Sequence, residues 1–281
     1  DRYASRGLGD VYKRQAKRRA HRKMIRKERG GVPVISIDYA WLSGKKGEGD
    51  DSTKGNPILV MHCRDTKLTT SRVVLKKGVD PYSIKVITDM ILFTGHKKVI
   101  LKSDGETPIT ALKEAVKGSC DVSLGVEVSP KGDSEANGEI ERAIRTVKGQ
   151  IRTLKSALDE NYKTEFGEDH ALIPWLVAYA SSLISKFTID VDGKTPHERC
   201  RGRKFAKALP EFGECILYLK GSPKDTAGLA PRWENGVFLG VSDLSHEIIV
   251  GTPNGAAKAA EFRRKGSEEE RWNMEEVVNM K

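Results

Sequence analysis

No two cysteines in this chain stand in a CxxC pair, and no two histidines are spaced four apart. The four cysteines, Cys63, Cys120, Cys200 and Cys215, are scattered. That spacing excludes a disulfide framework and a zinc knuckle, and it leaves reduced, partly buried thiols as the simplest reading. No convincing Ser/His/Asp or Cys/His set offers a covalent nucleophile. No apolar run is long enough to span a bilayer: the best candidate, residues 171–184, is short and holds Pro174. No membrane partner is expected, and no internal repeat is visible.

The net charge of +10 is unevenly placed. Residues 1–31 carry twelve Lys/Arg against three acids, a net of +9, so the remaining 250 residues sum to only +1. The body is nearly neutral, and any affinity for nucleic acid must come from where its charges sit. Residues 1–15 resemble translated adapter sequence and are set aside as a non-native leader. Residues 16–31 read as a polybasic linker, either a solvated segment or a phosphate-binding arm.

Beyond Gly31 the pattern alternates strands and helices. β-branched or alternating runs predict strands over 32–39, 57–64, 67–76, 98–102 and 121–128, with a Gly- and charge-rich loop at 43–56. Ile84, Ile87, Ile91 and Leu92 at helical spacing predict a helix over 81–93. Thr107-Pro108 predicts a helix start, with Thr as the cap and Pro at the first position. Residues 129–133 read as a flexible turn before a long helix. This element order resembles that of a ribonuclease-H-like α/β domain: a mixed five-stranded sheet flanked by helices. Its first and fourth strands would run parallel and open on one crevice.

Two of these strands end in aspartate, Asp38 and Asp104. One strand-end aspartate is ordinarily a turn or helix cap, and Asp104 does precede Gly105. Two on neighbouring strands point instead to a hard divalent cation. Glu135, Glu139 and Glu141 compete to be a third ligand from the long helix. Ile140, Ile144, Val147, Ile151, Leu154 and Leu158 fall within roughly 40° of one direction on the helical wheel. Glu141 lies about 100° to one side, on a flank shared with Arg145, Lys148, Arg152 and Lys155. Glu135 and Glu139 lie on the other side. Taken alone, the Glu141 flank also fits ordinary i,i+4 pairing on a solvated helix.

Asp38, Asp104 and Glu141, with Ser129-Pro130 ahead and Asn137-Gly138-Glu139-Ile140-Glu141-Arg142 around the glutamate, resemble the D,D-E signature of retroviral and retrotransposon integrases. In that family the glutamate follows an Asn/Gln-Gly pair by three residues, which Glu141 does and Glu135 and Glu139 do not. Thirty-six residues separate Asp104 from Glu141, one more than the most familiar interval. Downstream, Thr195-Pro196-His197-Glu198, then residues 209–213 (LPEFG), then residues 231–240 (PRWENGVFLG) follow the order of copia-type elements. The resemblance runs from about residue 32 to 250.

The resemblance implies a catalytic core over 32–190, a connector over 191–212, a small β-barrel-like DNA-binding domain over 213–260 and a charged tail over 261–281. It implies two Mg²⁺ (or Mn²⁺) ions held by Asp38, Asp104 and Glu141. Arg145, Lys148 and Arg152 would bind phosphates, and Asn137 would touch a base or sugar. The partners would be terminal-repeat DNA ends and host target DNA, met by a homo-oligomer assembled in the nucleus after cytosolic translation as part of a polyprotein. The zinc domain that usually opens such proteins finds no ligand set here, so no zinc is expected. Two rivals remain: another ribonuclease-H-like nuclease or transposase, and a decayed or co-opted copy that only binds nucleic acid.

Overall fold

A computed structural model of the chain describes residues 31–42, 55–129, 134–221 and 231–280, with no side-chain description at 134–136. The leader, nearly all of the polybasic linker, most of the 43–56 loop, residues 130–133 and the Glu135 side chain therefore lie outside the described residues.

Strands β1 (Val34–Ala40), β2 (Ile58–Cys63) and β3 (Thr69–Val73) form an antiparallel meander. Helix α1 (Pro81–Thr94), β4 (Lys98–Ser103), α2 (Thr107–Ser119), β5 (Ser123–Val128), α3 (Ser134–Tyr162) and α4 (Leu172–Phe187) follow. The sheet order is β3-β2-β1-β4-β5, with β4 parallel to both β1 and β5. That is the ribonuclease-H-like mixed sheet, and every expected strand falls within three residues of its expected ends.

Period-two alternation sends β1 to two different cores. Ile35 and Ile37 join Met61, Leu101, Ile87, Leu112 and others under α1 and α2. Ala40 joins Ile58, Val60, Val147 and Ala180 under α3 and α4. Asp38 shares the Ala40 side, the side that α3 covers. At α1 the Asp80 carboxylate accepts from the backbone N–H groups of Tyr82 and Ser83, and Gly95 closes the helix in the left-handed region. At α2 the cap differs from expectation. Thr107 is already helical, the cap position is Glu106, and its side chain makes no capping bond. The Glu106 carboxylate is instead engaged by Lys77.

Helix α4 covers the outer edge of β3. The Ser181 hydroxyl accepts from Ser71 N at 3.0 Å, and Ser185 accepts from Thr69 N at 3.1 Å while donating to Thr69 O at 2.8 Å. Ser71 completes the seam by donating to the Val177 carbonyl at 2.7 Å.

After the short helix α5 (Pro196–Arg201), a second sheet contains β6 (Cys215–Leu219), β7 (Trp233–Val241), β8 (Ile248–Thr252), β9 (Gly255–Ala259) and β10 (Phe262–Arg264). All its pairs are antiparallel, in the order β10-β6-β7-β8-β9. It is an open sheet whose edges are β9 and β10. Ile216, Val237, Leu239 and Val250, drawn from both of its faces, belong to the same apolar cluster as α3 and α4, so the two sheets share one core. Residues 261–280 supply β10 and the short helices α6 (Glu268–Arg271) and α7 (Met274–Val278), and Val277 and Met280 are buried.

Among the described residues no helix is long and apolar enough to cross a membrane. All four cysteines are free thiols.

Candidate active site

The parallel register pairs Val34 with Ile100, Ile35 with Leu101 and Ser36 with Lys102. Carried two residues further, it sets Asp38 abreast of Asp104. Both then stand toward the carboxyl ends of adjacent parallel strands, where open α/β sheets place their crevices. Asp38 is half-buried, and its Oδ1 accepts from the Tyr39 N–H at 2.7 Å. Asp104 lies in the turn, where its Oδ1 accepts a long bond of 3.4 Å from Glu106 N.

Burial pushes the Asp38 carboxyl up to about 6, and the charges of Asp104 and Glu106 push the same way. The Tyr39 N–H and the Lys77 ammonium oppose them and do not win. A carboxyl held up by burial and by like charge is a group that a divalent cation would relieve.

Glu106 was not singled out by the sequence. It sits in the turn before Thr107-Pro108, where a charge reads as solvated, and only the folded chain carries it into the field of Asp38. Lys77, from the loop after β3, bonds Glu106 at 2.8 Å.

The long helix behaves differently from its wheel. Ala143 and Gln150 are buried beside Ile140, Val147, Ile151, Leu154 and Leu158, which turns the core-facing stripe toward the Glu139 flank. Glu139 therefore lies inward, and its carboxylate meets Arg64 Nε at 2.7 Å. Arg64 donates its N–H to the Val34 carbonyl, so this pair sits at the start of β1, away from Asp38. Glu141 is exposed. Among the described residues no three His, Cys, Asp or Glu side chains gather in a metal-holding arrangement. The structure thus brings Asp38 and Asp104 together and does not bring Glu141 to them.

The start of α3 is nevertheless tied to this end of the sheet. Ser129, just past β5, donates its N–H to Ser103 O at 2.9 Å, and its hydroxyl meets Asn137 Oδ1 at 2.7 Å. Asn137 is thus a strut between α3 and the strand that delivers Asp104, and Glu141 follows one turn later.

On the basic flank Arg145 and Arg152 are exposed and Lys148 is half-buried. Burial and the neighbouring Arg152 both depress the Lys148 ammonium. Two cations held close enough to repel favour an anion between them. Lys155, the fourth member, is paired to Asp159 at 2.7 Å.

No family model matches the chain, and no curated protein matches it. Among solved structures, the catalytic core domain of BIV integrase is similar at 16% identity, with 60% of this chain, 94% of that chain and a TM-score of 0.42. The simian T-cell lymphotropic virus intasome in complex with the PP2A regulatory subunit B56 gamma is similar at 12% identity, with 83% of this chain, 78% of that chain and a TM-score of 0.44. Such likeness concerns the fold alone. The sheet order given above rests on the chain's own strand pairings.

Proposed function

We propose that this chain is the integrase of a copia-type LTR retrotransposon, which processes the 3′ ends of element DNA and joins them to target DNA. The observation that carries the reading is the pair of aspartates on adjacent parallel strands, with Asp38 held up to about 6 by burial and by Asp104. The D,D-E resemblance supplies the reaction class.

The donor set is hard oxygen, which suits Mg²⁺ or Mn²⁺. Asp38 and Asp104 fit such ions. Glu141 joins them after a shift of the first turns of α3, whose polar ties include the Ser129–Asn137 contact and the Arg64–Glu139 pair. Held by these carboxylates, such ions would supply Lewis-acid chemistry to the attacking and leaving oxygens. The residues of the chain do the rest. Arg145, Lys148 and Arg152 grip phosphates along α3, Asn137 orients a base or sugar, and the three carboxylates serve as ligands for the ions rather than as contacts for the DNA. Water first cuts a P–O bond near the 3′ end. The freed 3′-hydroxyl then forms a new P–O bond as the target strand's own P–O bond breaks. DNA ends, target DNA, an oligomer assembled on DNA and a nuclear site of action follow from the same reading.

The test is end joining by the purified chain in Mg²⁺ or Mn²⁺. Asp104→Asn and Glu141→Gln should each abolish joining, while Glu139→Gln should leave it largely intact. Cutting without joining would favour the nuclease or transposase reading. DNA binding without either reaction would favour a decayed copy.

The α3 flank gives a separate expectation. Lys148→Glu should weaken DNA binding and flatten its salt dependence, because each lost phosphate contact releases one counterion fewer. Thermal stability should move little, since the Lys148 ammonium is already disfavoured in the folded chain by burial and by Arg152. A large drop in melting temperature with unchanged DNA affinity would show that the flank is structural.

A further inference from the structure

Two carboxylates make a poor landing place for DNA. Its phosphates carry the same sign, and some cation must meet them before the backbone can lie against Asp38 and Asp104. The α3 cations stand along a helix flank, and Arg64 is turned to the far end of β1 by Glu139. One lysine has its field on Asp38 itself, and that is Lys77.

Its position is fixed by three contacts. The ammonium lies 5.6 Å from the centre of the Tyr39 ring, one residue after Asp38 in β1. The next residue, Gly78, donates its N–H to the Tyr39 hydroxyl at 3.0 Å. Gly78 has φ of +106°, open to glycine and strained for other residues, and a Cβ there would stand 3.6 Å from Pro108 at the start of α2. The loop is therefore pinned to the end of β1 and runs close beside the helix that follows Asp104. The Lys77 side chain is still 30% exposed, and Glu106, which bonds it at 2.8 Å, is 46% exposed. Ion pairs this open to water hold weakly, so the ammonium can change partners at little cost.

We infer that Lys77 is the phosphate-receiving residue of this crevice: Glu106 holds its ammonium in readiness, and a DNA phosphodiester entering beside Asp38 and Asp104 takes Glu106's place. Lys77 is a substrate-positioning group whose counterion is a competitor for the substrate. The inference rests on the integrase reading and adds to it a residue from outside the D,D-E set.

The experiment compares the full chain with Lys77→Gln, Lys77→Arg and Glu106→Gln. It measures binding of a fluorescent duplex oligonucleotide in millimolar Mg²⁺ across a salt series, together with joining kinetics and thermal melts. Lys77→Gln should weaken duplex binding about tenfold, as expected for one lost charge-assisted bond, and lower the salt slope by about one. The loss should appear in KM far more than in kcat, with an unchanged melting temperature. Lys77→Arg should restore most of the binding, and Glu106→Gln should tighten it. If Lys77→Gln binds and joins DNA like the parent, the inference falls and the integrase reading stands. If Glu106→Gln chiefly removes the stabilisation of the melt by Mg²⁺, Glu106 is a metal ligand with Lys77 only its counterion, and the inference is overturned. A parent chain that neither binds nor joins DNA defeats the integrase reading, and the inference goes with it.

Discussion

Asp38→Asn should raise the melting temperature of the metal-free chain at about pH 7.5 by roughly 5–10 °C. The Asp38 carboxyl moves from an ordinary 3.8 to about 6 on folding, so the folded chain keeps a proton that the unfolded chain sheds. A carboxyl raised in this way contributes no penalty below pH 4. Stability is lost as pH climbs from about 4 through 6, and above that the full penalty holds. Two pKa units correspond to at most about 3 kcal/mol. Asparagine cannot ionise, and its side-chain oxygen still accepts the Tyr39 N–H, so the variant escapes the penalty and keeps the bond. The two melting curves should converge near pH 4 and separate as pH rises. Millimolar Mg²⁺ should narrow the gap by stabilising only the parent, since a ligand that binds the folded form alone shifts the equilibrium by mass action. The variant should also lose all end joining. Parallel pH profiles for parent and variant would show that Asp38 is not held above its usual range.

The second large effect concerns the shared core. Residues 32–190 alone should fail to fold stably, giving aggregated protein or a melt without a cooperative transition. The second sheet covers α3 and α4 directly. The Tyr162 hydroxyl donates to the Gly213 carbonyl at 2.7 Å, and a Cβ at Gly213 would collide with Leu158. The Tyr179 ring stacks on Phe212 at 5.7 Å and meets Phe238 edge-on at 5.5 Å. Uncovering Leu158, Tyr162, Leu176, Tyr179, Ala180 and Leu183 exposes side chains whose burial is worth about 1.5–3 kcal/mol for each large one. That total matches or exceeds the whole margin of a domain, about 5–15 kcal/mol. The check is soluble yield and circular dichroism of 32–190 beside 32–280. A soluble, cooperatively melting 32–190 would show that the second sheet is an appendage.

The first sheet was legible because each strand carried its own signal. The β1 run buries both faces, and the isoleucine spacing over 81–93 and the Thr107-Pro108 start placed the beginnings of two helices to within a residue. Parallel neighbours β1 and β4, and with them the Asp38–Asp104 pairing, followed from the likeness of the element order to a ribonuclease-H-like domain. The glutamate was harder. An apolar wheel counts Ile144 and overlooks Ala143 and Gln150, yet the buried face of α3 includes both, and the helix turns accordingly. Small or polar residues buried by tertiary packing leave no mark on a hydrophobic pattern. Glu106 and Lys77 were invisible for a related reason, because each lies in a turn and gains meaning only from a partner 29 residues away. The shared core was hidden as well. A strand run such as Cys215–Leu219 is apolar at every position and says nothing of what covers either face.

The serine seam along β3 has a consequence for how this protein meets other chains. By answering the N–H and C=O of Thr69 and the N–H of Ser71, α4 covers this margin with side chains in the way a sixth strand would, and leaves an incoming strand little to bond on that side. Among the described residues the β5 margin of the first sheet still offers backbone groups to a visitor, beside the strand that delivers Asp104. Strand addition to the first sheet would thus run past the chemistry.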